Sequence, residues 1–198
     1  MKQGEFDSLA VELFSQHLNP FGFSVNVSKH CVFSRKANEY IYHFICPSMG
    51  RNGKWYDVRV FPHSPHIDPM FFSRFPDRLG IPTDRWSCLS DHDGVGLTQQ
   101  QFDCTTAANL RNSISSEVGA LLCNVAIPYL DRFQTVEDII PVIRHPLFMG
   151  FALYHVGRVE EAVHRLKSER ERLQGLDKSD RNVASLLEHI ERLLRKTT

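Results

Sequence analysis

The stretch YIYHFICPSMGRNGKWYDVRVF, residues 40–61, places two strand-like runs on either side of Asn52-Gly53, and this constrains the fold more than any other feature. Asn-Gly favours a two-residue type I′ turn, because both central residues need positive φ, which Asn tolerates and Gly adopts without steric cost. Such a turn sets Arg51 opposite Lys54 and fixes the register. Ile41, His43, Ile45, Pro47 and Met49 then share one face with Tyr56, Val58 and Val60, the expected core side. Tyr40, Tyr42, Phe44, Cys46 and Ser48 lie opposite, with Trp55, Asp57, Arg59 and Phe61. Pro47 has no N–H to give to a ladder, so the register predicts a sheet edge or a bulge beside it.

The flanking sequence extends the pattern. Phe6, Leu9, Ala10, Leu13 and Phe14 recur at helical spacing, predicting a first helix that stops near Asn19-Pro20. His17 lies on the same stripe and reads as a packing residue. Residues 23–27 and 30–36 read as two strands, which with the hairpin make about four antiparallel strands. Five prolines from Pro62 to Pro82 break up a long segment, 62–93, that also carries Phe71, Phe72, Phe75 and Trp86. Residues 95–104 read as a last strand. Thr105 then caps a helix through Leu110, Ile114, Val118, Leu121 and Val125, which Pro128 ends or kinks. Thr135-Val136-Glu137-Asp138 resembles a capping box for a short helix reaching about Ile143. Three further helices follow: 146–155, 158–173 after the Gly157 break, and one after Ser179 carried by Val183, Leu186, Leu187, Ile190, Leu193 and Leu194.

The expected class is therefore α+β: an N-terminal helix, an antiparallel sheet of about four or five strands, a long Pro-rich loop and C-terminal α-helices. Residues 1–145 form the α+β domain and 146–198 a helical hairpin and tail packed on it. The chain has 198 residues, 42% of them hydrophobic, enough for a substantial core. Acidic and basic residues balance at 23 each, so no overall field draws nucleic acid, and nucleic acid is not the expected partner. The five cysteines are odd in number, widely spaced and lack a Cys-x-x-Cys pair, which suits reduced thiols and a cytoplasmic setting. No long apolar run or signal-like start is visible, so no export and no membrane partner are expected.

Two resemblances add to this reading. In the tail, Gly150, Leu153, Gly157, Ala162 and Leu166 match the small and apolar positions of one tetratricopeptide-repeat helix pair. A single pair resembles a lone helical hairpin rather than a repeat array, since stacked repeats need about three copies. Asn19-Pro20-Phe21-Gly22-Phe23, Phe33 to Arg35, and Ile127-Pro128-Tyr129-Leu130-Asp131-Arg132-Phe133 resemble an uncharacterised bacterial domain-of-unknown-function family (DUF4304-like). That resemblance implies architecture and a bacterial cytoplasmic setting, and no activity.

For function, the nucleophile elbow, the phosphate-binding glycine loop and the dinucleotide fingerprint are all missing, and no cofactor is expected. A metal-dependent hydrolase would use His63 and His66 in FPHSPHIDP with Asp91 and His92 in SDHDG, imidazole and carboxylate being suitable ligands. The preferred expectation is a non-catalytic protein-binding module of interaction or immunity type. Its contacts would be Tyr40, Tyr42, Trp55 and Arg59, residue types enriched at interface hot spots, with Arg35, Lys36, Arg51 and Lys54 as a positive rim. The partner is expected to be another protein.

Overall fold

The structure, a computed structural model, describes residues 1–26, 31–64, 66–67, 101–143, 146–176 and 181–196. Five strands, β1 Ser24–Asn26, β2 Val32–Lys36, β3 Tyr42–Met49, β4 Trp55–His63 and β5 Phe102–Asp103, form one antiparallel sheet in chain order. Helix α1, Gln3–Leu18, precedes it, and α2, Ala107–Leu130, follows it. Next come α3, Val136–Ile139, then α4, Pro146–His155, α5, Val159–Gln174, and α6, Arg181–Arg195. The expected α+β class is the observed one.

The hairpin register follows the sequence reading, with Met49 opposite Tyr56, Ile45 opposite Val60 and Tyr42 opposite His63. The turn itself differs. Gly50 accepts from the Gly53 N–H at 2.9 Å and donates to Trp55 O at 2.8 Å, so the loop has four residues rather than two. Gly53 takes φ 67, and Asn52 Oδ1 accepts the Lys54 N–H. Both loops are symmetric about Asn52-Gly53, which is why the register survives the change of turn type. Pro47 lies past the last β2–β3 pair, Phe33 with Ile45, where β3 has an open side.

Both faces of the sheet are buried. Phe33, Ile45, Tyr56, Val58 and Val60 pack against Phe6, Phe14 and Leu18 of α1 and the stripe of α2. Phe44, Cys46 and Phe61 pack on the other face, against Leu147, Phe151, Leu166 and Ile190 of the C-terminal helices. The result is helices, sheet, helices in three layers. Ile41 departs from its expected side: it precedes β3, in a bend tied by Asn38, and joins the C-terminal core. The strand also runs further than expected, through Pro62 to His63, so the Pro-rich segment starts later. Among the described residues of the predicted last strand, Phe102–Asp103 are strand; residues 95–100 lie outside the described residues, as do 68–93.

Helix α2 shows how a side-chain period can dictate backbone geometry. Its buried positions Leu110, Ile114, Val118, Leu122, Ala126 and Leu130 recur every four residues. At 3.6 residues per turn each such step drifts by about 40°, and the stripe would wind by about 200°. Two stretches of i→i+5 bonding, Ile114–Val118 and Leu122–Ala126, hold more residues per turn and cancel the drift. The second ends with Ile127 N–H on Leu122 O, and the widened turn carries the helix through Pro128 to Leu130 instead of ending there. Thr106, not Thr105, is the N-cap, accepting from Asn109 N–H at 3.1 Å. At Gly119 any Cβ would lie 2.4 Å from His17 Cε1, so glycine lets the α1 imidazole pack on α2. By length and a mean hydropathy of 1.2 this helix could cross a membrane, but its apolar stripe faces the sheet.

Candidate functional site

Three aromatic rings from distant parts of the chain meet at the surface: Tyr40, His66 and His155. Each is placed by a short local device. Asn38 Oδ1 accepts from the Tyr40 and Ile41 N–H groups at 2.9 and 3.0 Å, bending the chain so that Ile41 enters the core and Tyr40 turns outward, 46% exposed. His66 sits in a turn closed by Ile67 N–H on Ser64 O at 3.0 Å and anchored by buried Ile67. His155 ends α4, where Gly157 at φ 82 and the Arg158 N–H on Leu153 O terminate the helix.

The His66 and His155 rings stack, with centroids 3.8 Å apart and planes at 20°. Tyr40 stands against both, at 5.4 Å from His66 and 6.5 Å from His155. Partial burial holds both imidazoles below their usual pKa, and His155 beside it lowers His66 further, which favours the neutral form of each ring. A Glu39 hydrogen bond raises the Tyr40 phenol. Near-parallel imidazoles direct their in-plane lone pairs side by side, not toward a common point, so the stack does not chelate a metal as it stands. It offers an aromatic cluster of two stacked imidazoles with the Tyr40 ring tilted against them, carrying polar ring edges suited to another side chain.

The other expected contact residues are elsewhere. Tyr42 is half-buried against the C-terminal core, with Lys36 Nζ 6.0 Å from its ring centroid. Trp55 lies flat on Gly50, where a Cβ would meet its ring at 2.5 Å. Arg59, opposite Cys46, has Asp57 at 4.0 Å. Tyr42 and Trp55 are eight strand positions apart, about 27 Å, with buried Phe44 and Phe61 between them. The aromatic face is thus divided by the C-terminal helices and does not form one open patch. Of the metal candidates, His63 is fully buried, edge-on to Phe44, with its pKa lowered by burial to about 3. His66 is in the stack, and Asp91 and His92 lie outside the described residues. Among the described residues, no three His, Cys, Asp or Glu side chains form a cluster that could hold a metal.

One polar network escaped the sequence reading. Arg35, expected on a positive rim, points to the α1–α2 side opposite His43 on β3. Its Nε–H donates to His43 Nδ1 at 3.1 Å, another N–H to Phe21 O at 3.2 Å, and a third pairs with Asp131, while Phe23 lies under the guanidinium at 4.8 Å. Arginine has no acceptor, so Nδ1 is the unprotonated nitrogen and Nε2–H donates to Phe133 O at 3.0 Å. Burial lowers His43 to about 4. Both ring nitrogens are occupied, leaving neither a lone pair nor a proton for a substrate. The sequence signal was a histidine on an otherwise apolar strand face with an arginine on the neighbouring strand.

No family model, curated protein or solved structure matches the chain. The three short motifs Asn19–Phe23, Phe33–Arg35 and Ile127–Phe133 meet at one place in the fold. Phe21 and Phe23 come from the first, Arg35 from the second, and Asp131 and Phe133 from the third, all on the Arg35–His43 network. Their shared role is to lock α1, the sheet and the end of α2 together.

Proposed function

We propose that this protein is a non-catalytic protein-binding module whose contact surface centres on Tyr40, His66 and His155. The observation that carries the reading is the exposed Tyr40 ring tilted against two stacked imidazoles, each segment held by its own turn or helix end. A rigid amphipathic aromatic with few torsions loses little entropy on binding, which suits an interface anchor. The perturbed histidine buried beside Arg35 is fully occupied by structure, and His63 is closed inside the core, so neither supports a hydrolytic role.

The test compares tagged wild-type protein with Tyr40→Ala, His155→Ala and a surface control, Glu160→Ala, in quantitative capture from the source cells. A protein enriched by wild type and control and lost with both ring variants supports the reading. Equal recovery on all four proteins would overturn it.

A further inference from the structure

The side chain that suits the Tyr40 surface can be read from the charge of that surface. Tyr40 and His155 are exposed and His66 is half-buried, so the three-ring cluster opens to solvent. Aromatic faces carry the negative lobe of the ring quadrupole, and burial favours the uncharged imidazole in both histidines. Such faces attract a cation and repel an anion.

The surroundings carry the same sign. The Glu39 carboxylate accepts a hydrogen bond from the Tyr40 hydroxyl, which holds an exposed negative charge at the rim of the rings. His155 lies on the last turn of α4, the negative end of that helix dipole. The cations that border these segments in the chain are already engaged. Arg158 is bound by both oxygens of Glu161, at 2.7 and 2.6 Å, and Lys36 Nζ lies 6.0 Å from the centroid of the Tyr42 ring. The turn that carries His66, residues 64–67, brings no charged side chain of its own.

A guanidinium meets both demands. It is planar and weakly hydrated, and it stacks on aromatic faces while its edge donates to a carboxylate, whereas an ammonium is a strongly hydrated point charge. We propose that the partner side chain seated on Tyr40, His66 and His155 is an arginine, its guanidinium stacked on the rings and paired with Glu39. This rests on the binding-module reading and adds the chemistry of the partner to it.

The probe is the peptide acetyl-Gly-Arg-Gly-amide, compared with the same peptide carrying citrulline, which has the shape of arginine without its charge. Both are titrated into the full chain at pH 8 and constant ionic strength, with the ring signals of Tyr40, His66 and His155 followed by NMR. His164, an exposed histidine beside Glu160 and Glu161, reports unspecific attraction to carboxylates. The expected result is that the arginine peptide binds about two- to fivefold more tightly than the citrulline peptide, with shifts at the three rings and none at His164. Glu39→Gln should weaken the arginine peptide about twofold and leave the citrulline peptide unchanged, and Tyr40→Ala should abolish the preference for arginine. Equal affinity for the two peptides, shifts at His164 as large as those at the rings, or no effect of Glu39→Gln overturns the inference. Its failure is separable from that of the binding reading: a cell protein lost with Tyr40→Ala and His155→Ala, together with equal binding of the two peptides, removes the arginine and leaves the binding module.

Discussion

Acid should unfold this protein through two histidines that the sheet has taken out of water. His43 and His63 are both fully buried, with pKa values lowered by burial to about 4 and about 3 from 6.5. The unfolded chain therefore binds the protons first as pH falls. Stability is complete above 6.5 and declines as pH drops from there toward 4 for His43 and toward 3 for His63. By linkage each group costs about 2 kcal/mol at pH 5 relative to neutral pH, and the pair about 4 kcal/mol. That is a large part of the 5–15 kcal/mol that holds a typical domain. His66, His155 and His189 are lowered as well and act in the same direction. Urea unfolding followed by circular dichroism at pH 7 and pH 5 measures the loss. His63→Phe keeps a buried ring beside Phe44 and removes one titrating group, so it should recover about half of the two-histidine loss. A wild-type loss under about 1 kcal/mol, or an unchanged loss in His63→Phe, would refute the reasoning.

At Gly150 a Cβ would lie 2.8 Å from Leu166 Cδ2 in the α4–α5 seam, so Gly150→Val should destabilise by about 2 kcal/mol in chemical denaturation, although valine is the better helix former. Thr135 and Asp138 form a reciprocal capping box at α3, and Thr135→Ala should cost about 1 kcal/mol by the same measurement. Gly53→Ala should cost more than the φ of 67 alone implies, because its Cβ would lie 2.6 Å from Met1 O; a melting temperature within a degree of wild type would contradict this. The Trp55→Ala/Arg59→Ala double variant should leave intact any interaction that depends on Tyr40, since Trp55 lies at the far end of the hairpin and Arg59 midway along it, opposite Cys46. Loss of the same partner in a folded double variant would show a larger surface than the one proposed.

Much of the fold was legible because its signals are local. The Asn52-Gly53 pair set the hairpin register, the stripe from Phe6 to Phe14 gave α1, and Thr135 with Asp138 gave the capping box. The turn type was not legible, since a four-residue loop and a two-residue loop share the same centre and register. The widened turns of α2 were missed for a different reason. Threes and fours fit an ordinary helix, and only the strict four-residue spacing of its buried stripe distinguishes the two. The candidate site was half legible. Tyr40 and His66 were singled out, but for different roles, and His155 lies about ninety residues further on, where only the three-dimensional packing joins it to them. Tyr42, Trp55 and Arg59 were assigned to one face correctly. Strand alternation says which side a residue faces, and not which neighbours a distant helix will cover.

The most direct test of the binding reading is site-specific photocrosslinking in the source cells, with a benzophenone side chain in place of Tyr40 and, as a control, in place of Glu160. The account predicts a discrete protein adduct from position 40 that position 160 does not give and that His155→Ala reduces. No adduct from position 40, or the same adducts from both positions, would contradict it.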